Sequence, residues 1–211
     1  MRHFKTRTLK IPTDKQKINK EKLLNAFPAD LKQDVEIVVE FLLNKNFDIH
    51  PTFEQKIILN EHNLIIPGRV YFDNPSETTG NNLTNTQQTI LNCIYLRHHN
   101  GFIRQKRLEK LIDNTDDYFV IPFIFQLLGE YVMEILEVVD KHLNDKTINN
   151  YLKFIKENPK YTNQTESRMI SYWDVYYRRT GYKNLNDYIG QKIFNRIKKA
   201  NAQHHLAKIA S

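Results

Sequence analysis

Arg97, His98 and His99, taken with the carboxylates Glu130, Glu134 and Glu137, come nearest in this chain to a set of residues that could do chemistry. Gln126, Glu130, Glu134, Glu137 and Lys141 recur every three or four residues, which on one helix places them on a single face. Carboxylates one turn apart, with histidines on a neighbouring helix, can hold a divalent metal and support a metal-dependent enzyme centred on Glu130 and Glu134. The details argue against that chemistry. A di-iron bundle needs Glu-x-x-His pairs, and here Glu137 is followed three residues on by Asp140. Adjacent histidines on a helix also point about 100° apart, so His98 and His99 would not face one ion. The favoured reading is that Arg97 or Lys106 pairs with the stripe, or that the stripe simply faces water. No metal ligand and no cofactor is assigned.

A second pattern is a helix pair across residues 86–112. Asn100-Gly101 forms a tight turn there, and the second helix carries Arg104, Lys106, Arg107 and Lys110. Basic side chains turned outward on such a helix can meet phosphates or base edges. Any bundle, however, contains helices flanking a tight turn with a solvated basic face. The third pattern is SYWDVYYRRTGYKN, residues 171–184, where aromatic rings beside Arg178 and Arg179 could stack on single-stranded bases. Trp173, Tyr176 and Tyr177 continue the helical spacing of Met169 and Ile170, so a core-facing helix is the favoured reading, with the two arginines on the surface. Near the C-terminus, Arg196, Lys198 and Lys199 add a basic helix that could meet an anionic surface or dock on the protein itself. No Gly-x-Ser-x-Gly elbow, Gly-rich phosphate loop or His-Glu-x-x-His is present, and the one cysteine, Cys93, sits in an apolar segment that suits a buried hydrophobe.

The elements that must position these residues are read from periodicity. Tyr118–Leu143, YFVIPFIFQLLGEYVMEILEVVDKHL, is the longest apolar run and the expected central helix, with Pro122 in its first turn if it starts near Ile121. Before it come helices over 14–27 and 29–44, divided by Pro28. Short β-branched runs follow at 56–59, 64–66 and 69–72, the first two joined by the four residues 60–63 as a hairpin. The polar stretch 73–85 is the preferred internal boundary. Further helices are expected over 86–98, 102–112, 146–157, 165–179 and 185–200.

The fold class is therefore mainly α: an irregular multi-helix bundle with a small antiparallel β-hairpin in the N-terminal third. Its organisation is a basic arm over 1–13, a helical and hairpin region over 14–76, and a helical body over 77–211 that forms one compact unit with it. Charge is segregated. Residues 1–20 carry a formal +6 and residues 178–211 a formal +7, while 21–177 carry −6. Such a distribution speaks of association, either with a partner or between the basic ends and the protein's own acidic body. No apolar run suits a signal or a membrane span, since Glu130 and Glu134 interrupt the longest one. A cytoplasmic location is the expectation. The function expected from these features is a non-enzymatic interaction or scaffold module with a protein partner or a second copy of itself. A nucleic-acid binder using the basic termini, with Arg196, Lys198 and Lys199, and the 102–112 helix is the alternative.

Overall fold

The computed structural model describes residues 13–43, 47–49, 54–76, 79–112 and 115–209; the expected basic arm lies outside the described residues, apart from Thr13. Thr13 opens α1 (Asp14–Leu24) with a capping box shared with Gln16. Pro28 ends that segment, and a short 3₁₀ turn leads into α2 (Lys32–Leu43), whose Val35, Val38, Val39 and Leu42 are buried. β1 (Phe47–Ile49) pairs antiparallel with β4 (Val70–Phe72), while β2 (Gln55–Leu59) and β3 (His62–Ile66) form a separate hairpin. The expected four-residue connection is thus tighter. Leu59 pairs with His62, and Asn60 and Glu61 alone make the turn at φ values of 49° and 68°. A turn with both central residues in the left-handed region matches the twist of the flanking strands.

Beyond the loop, Thr84 and Gln87 form a second capping box that starts α3 (Asn85–Tyr95). α3 ends three residues before the expected limit, so His98 and His99 lie in the turn that follows it. Val70 N–H donates to the Arg97 carbonyl at 2.9 Å and His99 N–H to the Val70 carbonyl at 3.0 Å, so this turn pairs with β4. Asn100 does not stop α3. Its Oδ1 accepts from Phe102 N–H at 3.0 Å, which makes it the cap that begins α4 (Gly101–Ile112).

The stretch 118–143 is not one helix. A 3₁₀ turn leads into α5 (Ile121–Leu127), with Pro122 in its first turn, and the chain then turns through 128–132 before α6 (Met133–His142). Gly129 is a weak helix residue, and a Cβ there would sit 3.4 Å from Thr165 Cγ2 and 3.6 Å from Arg168 Cβ. Val132 adopts an extended conformation that ends any continuation. α7 (Ile148–Glu157) and α8 (Pro159–Tyr172) meet at Asn158, and α8 then widens into a π-turn over Trp173–Tyr177, where Arg178 N–H reaches the Trp173 carbonyl at 2.9 Å. α9 (Ile189–Ile209) closes the chain.

One hydrophobic cluster runs through residues on both sides of the polar sequence stretch 73–85, from Leu23 and Leu42 to Phe123, Phe125, Phe154 and Phe194. The protein is mainly helical, and among the described residues its strands lie in the N-terminal third. No helix among the described residues is long and apolar enough to cross a membrane.

Candidate functional site: an arginine cleft around Glu130

Breaking the long helix turns Glu130 inward. The residue is only 5% exposed. Arg69 Nη1 lies 2.9 Å and Arg97 Nη1 3.5 Å from Oε1. Arg104 Nη2 lies 2.9 Å from Oε2, an ion pair without the alignment of a hydrogen bond. Three cations thus meet one anion. Each comes from a different element: Arg69 precedes β4, Arg97 lies in the turn after α3, and Arg104 projects from the first turn of α4.

These arginines also hold backbone. Arg97 Nε donates to the carbonyls of Pro67 and Gly68, each at 3.1 Å, and its Nη2 donates again to Gly68. Arg104 Nη1 donates to the carbonyls of His98 at 2.7 Å and His99 at 3.0 Å. The network therefore ties the segment before β4, the turn after α3 and the 128–132 turn together. Burial alone would push the Glu130 carboxyl upward, but Arg69, Arg104 and Arg97 override it and hold the group below the usual carboxylate range. Burial pulls Arg97 down to about 10, against the opposing pull of Glu130, and this leaves it charged at neutral pH.

A cleft of about 250 Å³ opens beside this network, lined by Arg69, Arg97, Gln126, Glu130, Tyr131, Arg168 and Tyr172, with Gly68 and Gly129 in its wall. Arg168 stands on α8, where no carboxylate among the described residues lies within ion-pair distance of it. Gln126 is 8% exposed, and its Oε1 is buried without a hydrogen-bond partner. At the rim, Tyr131 stacks on Tyr176 at 5.1 Å between ring centroids, and Tyr172 approaches both.

The sequence expectations are met unevenly. Of the proposed polar stripe, Gln126 and Glu130 are buried at the cleft, whereas Glu134, Glu137 and Lys141 face water from α6. The five do not share one helical face, because the helix is interrupted between Glu130 and Glu134. Arg97 does pair with Glu130. His98 is fully buried, its Nδ1 accepts from Asn100 N–H at 3.0 Å, and its ring stacks on His99 at 4.3 Å instead of diverging from it along a helix. Among the described residues no three of His, Cys, Asp or Glu stand close enough to hold a metal ion.

The basic face expected on α4 is divided. Lys106 and Lys110 are exposed, but Arg104 and Arg107 are buried. Arg107 Nη1 donates to Asn92 Oδ1 at 3.1 Å, and its guanidinium lies 4.7 Å from the centre of the Tyr95 ring. The aromatic segment departs from expectation in the opposite sense. The π-turn rotates the continuation of α8, leaving Tyr176 49% exposed and Trp173 and Tyr177 half-buried. Arg178 pairs with Asp174 at 2.8 Å, and Arg179 is exposed. On α9, Arg196 pairs with Asp140 and Lys198 with Glu166, while Lys199 faces water.

Arg69, Arg168 and Tyr131 were not marked by the sequence as site residues, whereas Tyr172 belongs to the aromatic segment 171–184. The first three sit where local pattern reads as an ordinary strand flank, helix surface or apolar run. No family model matches the chain, and no match is found among curated proteins or solved structures.

Proposed function

We propose that this protein is a non-catalytic binding module whose ligand is a small anion-bearing molecule held in the arginine cleft. One observation carries the reading: three guanidinium groups, those of Arg69, Arg97 and Arg168, line a single cleft whose one carboxylate, Glu130, is already held by Arg69, Arg97 and Arg104. Arg69, Arg97 and Arg104 share that one carboxylate, and Arg168 has none within ion-pair distance among the described residues, so the cleft carries an excess of positive charge. Fork-shaped guanidinium donors suit the oxygens of a phosphate or carboxylate. Glu130 is held ionised by its neighbours, which makes it a poor proton donor near neutral pH and favours binding over acid–base catalysis.

This reading keeps the non-enzymatic expectation but puts a small anionic ligand in place of the expected protein partner or second copy. The charge segregation behind a scaffold role is partly used inside the molecule, through Arg196 with Asp140 and Lys198 with Glu166. Arg104 and Arg107, half of the basic set offered to nucleic acid on α4, are likewise engaged internally. Titration calorimetry with pyrophosphate at low ionic strength tests the proposal. Wild-type protein is expected to bind it, with Arg168→Ala weakening the affinity at least tenfold and Lys199→Ala leaving it unchanged. Equal affinity in the Arg168→Ala and Lys199→Ala variants would overturn it.

A further inference from the structure

We infer that the ligand of the cleft is a phosphorylated nucleoside, its phosphate at Arg69 and Arg168 and its base on the tyrosine platform at the rim. The inference rests on the anion-binding reading above and names the class of molecule that would satisfy the rest of the site. The platform is the independent observation. Tyr131 and Tyr176 are 48% and 49% exposed, yet their rings stack on each other, and Tyr172 links them to the cleft wall. Two half-exposed tyrosines, beside Arg168 with no carboxylate partner among the described residues and Arg69 sharing Glu130 with two other arginines, offer a π-face next to positive charge, as stacking on the base of a phosphorylated nucleoside needs.

The platform is also held in place. Tyr177 donates its hydroxyl to the Tyr131 carbonyl, so the 128–132 turn and the π-turn are joined at the backbone of a platform residue. π-turns recur at functional sites because they re-aim side chains out of helical register, and this one lifts Tyr176 away from the face that buries Met169. Gln126 lines the same cleft, a buried amide whose oxygen has no hydrogen-bond partner. A phosphate alone would leave that group and the rings without a role. A nucleoside supplies hydroxyl donors and a flat π-face. At about 250 Å³ the cleft falls just below the roughly 300–1,000 Å³ of drug-sized ligand sites, so it takes the phosphate and sugar of one nucleotide unit and leaves the base to the rim.

That unit can be a free nucleotide or the phosphorylated end of a single strand, and the two share the same chemistry. The test compares pyrophosphate, ribose 5-phosphate, adenosine monophosphate and a 5′-phosphorylated oligoadenylate by calorimetry on wild-type protein, Tyr131→Ala, Tyr176→Ala and Arg168→Ala. Circular dichroism checks that each variant is folded. The expected result is that adenosine monophosphate binds at least tenfold tighter than ribose 5-phosphate. Tyr131→Ala and Tyr176→Ala should each weaken the nucleotide about fivefold or more, as loss of one stacking contact does, without changing ribose 5-phosphate. Arg168→Ala should weaken both. An oligonucleotide more than tenfold tighter than the monophosphate identifies a nucleic-acid end as the source, and equal affinity identifies a free nucleotide. If ribose 5-phosphate and the nucleotide bind equally, or a tyrosine variant weakens neither, the base platform is wrong while the anion site stands. If none of the four binds, both readings fail together.

Discussion

Glu130 is the residue on which the site turns, and its burial has a measurable consequence. Removing one partner from a buried ion network leaves uncompensated charge, at a penalty of about 3–5 kcal/mol. Glu130→Gln is expected to lose stability of that order at pH 7, because Arg97 and Arg104 would remain buried without their anion. The pH dependence follows from the depressed carboxyl. A folded-state value below that of the unfolded chain, roughly 4.3 for glutamate, contributes stability that is fully present above the unfolded value. That contribution is lost as pH falls through the folded one. Urea unfolding between pH 7 and pH 3 should therefore show the gap between wild type and Glu130→Gln shrinking below about pH 4. A gap that stays constant over this range would contradict the assignment. The sequence marks Glu130 and Arg97 for chemistry, but the spacing that marks Glu130 also places it on a continuous exposed face. What moves it inward is ion pairing with residues as many as 61 positions away, which no local window contains.

At the scale of elements, several junctions are secured by single side chains. Asn158, between α7 and α8, treats the edge of β2 as a strand would. Its Oδ1 accepts from Ile58 N–H and its Nδ2 donates to the Ile58 carbonyl, both at 2.7 Å. Asn158→Ala would leave both strand groups unpaired beside a 6%-exposed position, and an unmet buried polar group costs about 1–3 kcal/mol. Chemical denaturation should show a loss of at least about 2 kcal/mol; a change below half that figure would mean water replaces the amide. Gly190, at the start of α9, faces α8 so closely that a Cβ would lie 2.7 Å from Met169 Cγ and 2.8 Å from Tyr188 Cε1. Gly190→Ala is accordingly expected to destabilise by about 1–3 kcal/mol through overpacking. An unchanged thermal midpoint would show that Met169 swings aside freely. Asn158-Pro159 reads in sequence as a helix end, and it is one; that Asn158 also serves a strand a hundred residues earlier is visible only once the two are packed.

Across the whole molecule, the acidic body and the basic C-terminal region meet each other. Arg196 reaches Asp140 and Lys198 reaches Glu166, bringing α9 against α6 and α8. Both members of the first pair are more than a third exposed, so it is worth little by itself. Asp140→Asn is expected to change stability by less than about 1 kcal/mol at low salt and by nothing measurable in 1 M salt, where the screening length falls to about 3 Å. A loss that persists at high salt would mean that α9 depends on this pair rather than on its buried Ile193, Phe194 and Ile197.

The sequence by itself determined the mainly helical class, the helix breaks at Pro28 and Asn158, the first-turn place of Pro122 and the hairpin in the N-terminal third. These follow from backbone preferences and apolar periodicity, both of which act over a few residues. Tertiary structure alone decided that the 118–143 run breaks at Gly129, that Arg104 and Arg107 point inward, and that Tyr176 points out. Each of those outcomes depends on a contact between segments that local patterns do not join: a buried carboxylate satisfied by three arginines, a guanidinium over a tyrosine ring, and the Tyr177 hydroxyl on the Tyr131 carbonyl beside the π-turn. The cleft exists because β4, the turns after α3 and α5, and α8 are brought together, and the residues that line it have neighbours in space that they do not have along the chain.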